Sequence, residues 1–312
     1  MTPRPLDQRF ADHQRPYYLP LVFALSMRIE NVTWDELRDD GALVALALRG
    51  GLSAFHADGL VNWFDPWLEA EAMGLGLVRD ETGRVQEVEG PIQQMPSAER
   101  FSVSGGIPAA IDVARRLTGE LGDRGAVLGY LTGGTTIIEK CFGEEYRKRI
   151  ASVENVSDLA SEDLGLLEAA VQCSVHLARE YCECGVAALL MAEESPPTPV
   201  VLSAYEPVFN LAAYYALPVV IVHKEPIPQA AVTRYADIGG RSVLLPSPDG
   251  AEPGDCLALP LSVFHGQQEG GTASCEPVAE LTRPAKLITT SWDIPPDTNP
   301  ERVALVGHRV VG

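Results

Sequence analysis

The chain of 312 residues is acidic, with 43 Asp and Glu residues against 24 Lys and Arg residues and a formal net charge of -19. Such a charge repels nucleic acids and anionic membranes, so nucleic-acid binding is the least expected class of function. A hydrophobic content of 46% and a charged content of 21% are typical of a globular domain with a substantial core, which excludes wholesale disorder.

The N-terminal sequence does not resemble a signal peptide. MTPRPLDQRFADHQRP is polar and lacks the apolar centre of a signal peptide. No apolar run approaches the roughly 18 residues of a membrane span. We therefore expect a cytoplasmic protein that does not enter a membrane. Six cysteines without a secretory signal are interpreted as reduced thiols.

The first hundred residues predict helices, one buried strand and a hairpin. After the Pro-interrupted segment YYLPLVFALSM, Asn31 and Thr33 precede a stretch typical of a capped helix. Residues 59–65 are apolar and bounded by Gly and an acid, as expected of a buried parallel strand that ends at Asp65. The following GLVRDETGRVQEVEG predicts a β-hairpin around residues 81–83, inserted into the fold.

Beyond the hairpin, helices and strands alternate. Strands are predicted at 126–131, 186–191, 219–223, 242–245, 256–261 and 286–290, and helices at 108–121, from about 135, at 162–182 and at 205–216. Seven or eight strands that alternate with helices favour a closed parallel barrel over an open sheet. We predict one domain over residues 1–312: a (β/α)8 TIM barrel with an N-terminal helical segment and a β-hairpin insertion.

Polar residues end several predicted strands, and the carboxyl ends of barrel strands face the active site. Asp65 could be a general acid, a substrate anchor or only a cap for the following turn. His223 could be a metal ligand, an acid–base group or a buried core histidine. Glu225 would lie on the same side as His223 only if the strand continued.

Aromatic and acidic residues near other strand ends are further candidates. Trp292 and Asp293 would suit a flat organic substrate, although packing alone would also explain them. One residue of the pair Glu193 and Glu194 is expected to face the cleft, and the sequence does not decide which. Tyr130, in the strand at 126–131, is a candidate substrate contact.

Three other features carry weaker signals. Cys182 and Cys184 lie at a helix end without a second ligand pair, so packing explains them best. Lys140 lies inside a predicted helix and is expected to pair with Glu144, with a Schiff-base role less favoured. His265, just past a strand, could also contribute to a site.

Several segments resemble, in order, the uroporphyrinogen decarboxylase superfamily, which also contains corrinoid-linked and thiol-directed methyltransferases. They are RPYYLPLVFALSMR, HADGLVNWFDPWLEAEAMG, AVLGYLTGGTTII, ECGVAALLMAEE and TTSWDIPPDTNPERV. The second, with Asp65, is the most specific. The resemblance covers nearly the whole chain and implies a distorted (β/α)8 barrel with a deep cleft.

The chain departs from the decarboxylase branch at most of its functional positions. The Arg-rich loop that holds substrate carboxylates there corresponds here to residues 23–28, where only Arg28 remains. Lys140 stands where the decarboxylases have Tyr, and Trp292 where they have His. Asp65 alone matches their catalytic set, so the resemblance argues against porphyrinogen decarboxylation.

The methyltransferase branch holds zinc with a His-x-Cys pair and a further Cys, which lowers the pKa of the bound thiol. The corresponding residues here are His223, Glu225 and Trp292, so a thiolate-rich site is absent. His223 and Glu225, with Asp293 or His265, could still form a site for zinc or another divalent ion. It is equally open that no metal binds.

The resemblance thus implies an enzyme that moves a methyl or related one-carbon group between a small organic molecule and a corrinoid or thiol acceptor. Asp65 or Asp293 would assist leaving-group departure and His223 would polarise the methyl-bearing heteroatom. A partner protein would carry the corrinoid. Two alternatives stay open: a cofactor-free decarboxylase or lyase that uses Asp65 and His223, and a non-catalytic binding subunit. The sequence also leaves open a homodimer.

Overall fold

A computed structural model of the chain describes residues 4–12, 15–80, 82–92, 95–195, 197–243, 255–264 and 285–311. The strands are β1 (Tyr17–Leu19), β2 (Gly59–Val61), β3 (Leu77–Arg79), β4 (Val85–Val88), β5 (Ala126–Thr132), β6 (Ala188–Glu193), β7 (Val219–His223), β8 (Gly240–Val243), β9 (Cys256–Leu259) and β10 (Leu287–Thr290). The helices are α1 (Leu6–Asp12), α2 (Phe23–Ile29), α3 (Trp34–Asp39), α4 (Gly41–Ala54), α5 (Leu68–Ala72), α6 (Ala98–Ser102), α7 (Ile107–Leu121), α8 (Gly134–Phe142), α9 (Glu144–Ala151), α10 (Ser161–Cys184), α11 (Pro199–Tyr214), α12 (Gln229–Asp237) and α13 (Pro300–Val311).

Parallel ladders join eight of these strands into two sheets, β2-β5-β6-β7-β8 and β1-β10-β9. The strands of the two sheets follow one another in the order of a (β/α)8 barrel. At one junction the amide of Asp58, just before β2, donates to the carbonyl of Tyr18 in β1 at 2.8 Å. At the other, β8 lies against β9. The predicted barrel-like α/β fold is confirmed, but within the described residues the hydrogen-bonded ladders do not form one closed ring.

The central strands form because their residues are largely apolar up to the last position of each strand. Every residue of β5, β6 and β7 is buried, as expected of parallel strands that are covered on both faces. α7, α10, α11 and α12 each lie between two parallel strands that are neighbours in the sheet, which is the βαβ arrangement of such a barrel. The core therefore lies inside the sheet and between the sheet and its helices.

The insertion is an antiparallel hairpin, as predicted, in which Leu77 of β3 pairs with Val88 of β4. Strand β1 was missed by the sequence interpretation because three residues are too few to establish a period. Helix α11 begins six residues earlier than predicted, where Thr198 caps its first turn by accepting from the amide of Val201. Residues 244 and 245 of one predicted strand lie outside the described residues.

Strand β2 ends at Val61, so Asp65 lies four residues beyond it rather than at its last position. Asn62 is fully buried and joins three elements at this point. Its Nδ2 donates to the carbonyl of Ala110 in α7, and its Oδ1 accepts from the amide of Tyr130 in β5, both at 2.8 Å. None of the helices in the described residues is long and apolar enough to cross a membrane.

We expect Asn62→Leu to lower the free energy of unfolding by roughly 2 to 5 kcal/mol, because two buried backbone groups lose their partner. Urea denaturation followed by circular dichroism measures this loss. Asn210→Leu, at an exposed position of α11, is the matched control and should change stability by less than about 0.5 kcal/mol. An equal effect of both substitutions would contradict the role given to Asn62.

Candidate active site

The register between β6 and β7 decides which strand-end side chains share a face. Glu193 and His223 are paired in this register, so their side chains lie on the same side of the sheet. The side chains of the next residues, Glu194 and Lys224, leave the backbone on the opposite side. Tyr235 of α12 identifies the first side: its hydroxyl lies 3.3 Å from Glu193 Oε1 and its ring centroid 5.5 Å from that of His223. Glu193 and His223 therefore face the helix layer.

Glu193 holds the first turn of α8. Its Oε1 accepts from the amide of Thr135 at 3.2 Å, and its Oε2 accepts from the amide and hydroxyl of Thr136 at 3.0 and 2.8 Å. The positive end of the helix dipole also favours a carboxylate there. A Cβ at Gly133 would lie 2.1 Å from Glu193 Cδ, which explains the glycine. Burial raises the pKa of Glu193 to about 7, although the hydrogen bonds oppose the shift.

His223 is 5% exposed, and neither of its ring nitrogens has a hydrogen-bond partner within the described residues. Burial lowers its pKa to about 4, so the imidazole is neutral near pH 7. A buried polar group without partners is costly, and such groups commonly mark a functional role or a missing ligand.

Asp293 caps helix α2. Its Oδ1 and Oδ2 accept from the amides of Phe23 and Ala24 at 2.7 and 3.0 Å, and burial raises its pKa to about 7. Trp292 beside it packs edge-on against Phe64, with ring centroids 5.0 Å apart. On its other side Phe64 contacts the fully buried Tyr130, at 5.1 Å. Trp292 and Tyr130 thus belong to one aromatic cluster.

Asp65 is bonded within the protein through both oxygens. Its Oδ1 accepts from the amide of Trp67 at 3.0 Å, and its Oδ2 lies 2.8 Å from the guanidinium of Arg79 in the hairpin. Burial raises the pKa of Asp65, and Arg79 opposes the shift. Nearby, the buried Glu69 accepts from the amide of Thr132 at 2.6 Å and also from its hydroxyl. The sequence interpretation did not identify Glu69.

An open cleft of about 700 Å³ lies beyond the carboxyl ends of β2, β5, β6 and β7. Its charged centre is Glu194, whose carboxylate lies 2.5 Å from Lys140 Nζ and 2.8 Å from Lys224 Nζ. The lining also includes Trp67, Thr136, Glu139, Glu144, Ser195 and Glu225. The volume is in the range of small-molecule sites. Of the sequence candidates, Glu194, Glu225 and the less favoured Lys140 line this cleft, whereas Asp65, Tyr130, Glu193, His223, Trp292 and Asp293 do not.

The expected pair of Lys140 with Glu144 was wrong. Helix α8 ends at Phe142, and Gly143 has a φ of 85°, so Lys140 and Glu144 do not share one helix. Glu144 pairs instead with Lys148 at 3.0 Å. The sequence signal for Lys140 was its alignment with a Tyr of the decarboxylases. Strand alternation indicates that Glu194 and Lys224 lie on the face opposite to Glu193 and His223, but it does not tell which face lines the cleft.

The residues present do not fit the metal site suggested by His223 and Glu225. No group of three or more His, Cys, Asp or Glu side chains suited to a metal ion occurs among the described residues, Cys182 and Cys184 included. Glu225 is exposed in the cleft, whereas His223 is buried against α12. His265 lies outside the described residues.

The chain belongs to the uroporphyrinogen decarboxylase (URO-D) family, whose sequence model matches residues 9–206. A methyltransferase from Methanosarcina mazei has a similar structure, with a TM-score of 0.69 over 96% of this chain and 94% of that chain. The two sequences are 14% identical, so this likeness is one of fold. No curated protein matches the sequence significantly.

The Glu193 carboxyl predicts a specific pH dependence. Because its folded pKa of about 7 lies above the ordinary 4.5, the folded chain keeps a proton that the unfolded chain releases, and stability from this group falls as pH rises through that window. The stability advantage of the wild type over Glu193→Gln should therefore shrink as the pH rises from 4.5 to about 7. Urea denaturation at a series of pH values measures it. Glu168→Gln, at an exposed position of α10, is the control. A difference that grows with pH would contradict this.

His223 predicts the opposite trend. With a folded pKa of about 4 against 6.5, only the unfolded chain takes up the proton, so stability falls as pH drops through this window. His223→Leu should flatten this acid-side loss and keep or raise the free energy of unfolding near pH 7, by up to about 1 kcal/mol. Thermal or urea unfolding between pH 4 and pH 7 measures the acid-side loss and the stability near pH 7. His308→Leu, at an exposed position, is the control. Marked destabilisation near pH 7 would contradict the absence of partners.

Proposed function

We propose that the chain is a URO-D-family enzyme that transfers a methyl or related one-carbon group between a small organic molecule and a corrinoid or thiol acceptor. The observation that supports this most concerns Asp65, the one residue shared with the catalytic set of the decarboxylases. Both of its oxygens are bonded within the protein, to Arg79 and to the amide of Trp67, so they are not left for a decarboxylation intermediate. The fold likeness to a methyltransferase, which extends over 96% of the chain, supports the same choice.

In this proposal the cleft binds and orients the methyl-bearing molecule, because correct placement of reacting groups lowers the barrier of such a transfer. Trp67 supplies an apolar wall, and Lys140 and Lys224 supply charge. The acceptor reaches the cleft from its open side, and a corrinoid on a partner protein would supply the nucleophile that takes the methyl group.

The sequence candidates take supporting roles in this proposal. Glu193 fixes the helix that carries Lys140, and Asp293 holds the amides of α2. Asp65 fixes the hairpin through Arg79, next to the turn that carries Trp67. We infer that these three carboxyl groups are positioning residues. The oxygens of these carboxyl groups already accept hydrogen bonds from the protein. The side chains that line the cleft are therefore the ones that contact the substrate.

The test is methyl transfer to free cob(I)alamin under anaerobic conditions, from a panel of small methyl ethers, thioethers and methylamines. We expect at least one compound to yield methylcobalamin, followed by its visible spectrum. Trp67→Ala should lower kcat/KM by about tenfold or more, because one wall of the cleft is lost. Tyr214→Ala, which removes an aromatic side chain that is 82% exposed, is the matched control. The proposal would be refuted if no compound donated a methyl group to cobalamin and methylcobalamin donated none to a thiol.

A cofactor-free decarboxylase or lyase is the second candidate, because the two cleft lysines could hold a substrate carboxylate. It predicts release of carbon dioxide from a small carboxylic acid without any corrinoid. Asp65→Asn should abolish that release if Asp65 stabilises the intermediate. A chain that binds a corrinoid protein tightly without either reaction would instead be a binding subunit.

A further inference from the structure

Glu194 bridges two lysines in the cleft, Lys140 and Lys224, which we call the lysine pair. Its Oε2 lies 2.5 Å from Lys140 Nζ and its Oε1 lies 2.8 Å from Lys224 Nζ. Both carboxylate oxygens are thereby used, and one negative charge faces two positive charges. The bridge carries an excess of positive charge in a protein whose formal net charge is -19.

Each ammonium group also lies over an aromatic ring. Lys140 Nζ is 3.6 Å from the centroid of Trp67, and the Lys140 side chain is only 9% exposed. Lys224 Nζ is 5.7 Å from the centroid of Trp292. These contacts hold the lysine pair in place. Both lysines are ion-paired with Glu194, but one would suffice to neutralise it, so the bridge keeps one positive charge in excess.

Two of the other carboxylates of the cleft are paired with basic side chains outside the bridge, and a third is not. Glu139 and Glu144 each lie 3.0 Å from a basic side chain of α9, Arg147 and Lys148 respectively. Glu225 is exposed and forms no ion pair within the described part of the chain. The cleft therefore combines a fixed positive region with one carboxylate that is not paired.

We propose that the lysine pair is the anion subsite of the cleft, and that the small organic molecule bound there carries a single carboxylate or sulfonate group. Both ammonium groups donate to the oxygens of that group in charge-assisted hydrogen bonds. Glu225 repels further negative charge, so a monoanion is preferred over a polyanion. The inference rests on the proposed function only in taking the bound molecule to be the substrate of the transfer.

Binding without turnover tests the subsite, by isothermal titration calorimetry. Lactate and isethionate are the carboxylate and sulfonate probes, propylene glycol is the neutral analogue, and citrate is the polyanion. We expect lactate or isethionate to bind at least about tenfold more tightly than propylene glycol and more tightly than citrate. The tighter of the two identifies the head group. Equal binding of the anions and propylene glycol, or tightest binding of citrate, would overturn the inference.

Variants of the bridge test the residues. Lys224→Gln changes a half-exposed side chain, so the fold should tolerate it. It should weaken binding of the preferred anion about tenfold or more. Glu194→Gln should strengthen it, because the internal competitor for the lysine pair is removed. Lys286→Gln is the matched control, since Lys286 is exposed and ion-paired with Asp255. Unchanged binding by Lys224→Gln, or lost binding by Glu194→Gln, would contradict the subsite.

The two proposals fail separately. Anion binding that depends on Lys224, in a protein that transfers no methyl group, would refute the proposed function and leave the subsite standing. Methyl transfer from neutral compounds at a rate that Lys224→Gln does not change would refute the subsite and leave the function standing.

Discussion

The hydrogen bonds between Glu193 and the first turn of α8 are the interaction on which the cleft depends. One carboxylate at the end of β6 accepts from the amides of Thr135 and Thr136, and the helix that starts there carries Lys140 into the cleft. The next residue, Glu194, completes the arrangement from the opposite face, because its carboxylate lies 2.5 Å from Lys140 Nζ. Two consecutive glutamates therefore build the site in different ways, one through the backbone and one through the side chain.

The same use of carboxylates recurs around the carboxyl end of the barrel. Asp65 ties the hairpin to the turn after β2, and Asp293 ties the end of β10 to α2. Buried carboxylates that accept several hydrogen bonds can replace the short-range caps that the sequence lacks. Neither α2 nor α8 has a side-chain cap from its own N-cap residue. The barrel thus fixes α2 and α8 through long-range contacts.

The positions that the resemblance aligns with the zinc ligands of the methyltransferase branch have other contacts in this chain. Where a thiolate ligand would stand, Trp292 joins an aromatic cluster, and where a second would stand, Glu225 is exposed. The histidine that remains, His223, faces α12 instead of a cluster of ligands. Positive charge in the cleft comes from Lys140 and Lys224, which are bound to one carboxylate and two indole rings.

The sequence by itself determined the alternation of strands and helices, the hairpin insertion and the polar strand ends, because these depend on local periodicity and on short motifs. It also located Asp65, His223 and Glu193 near the carboxyl ends of the parallel strands. Only the tertiary structure decided that Glu194 and not Glu193 lines the cleft, since a shift of one residue reverses the face of a strand. It also decided that Asp293 bonds to amides about 270 residues away and that Lys140 pairs with Glu194. Such contacts join residues far apart in sequence, and no local pattern encodes them.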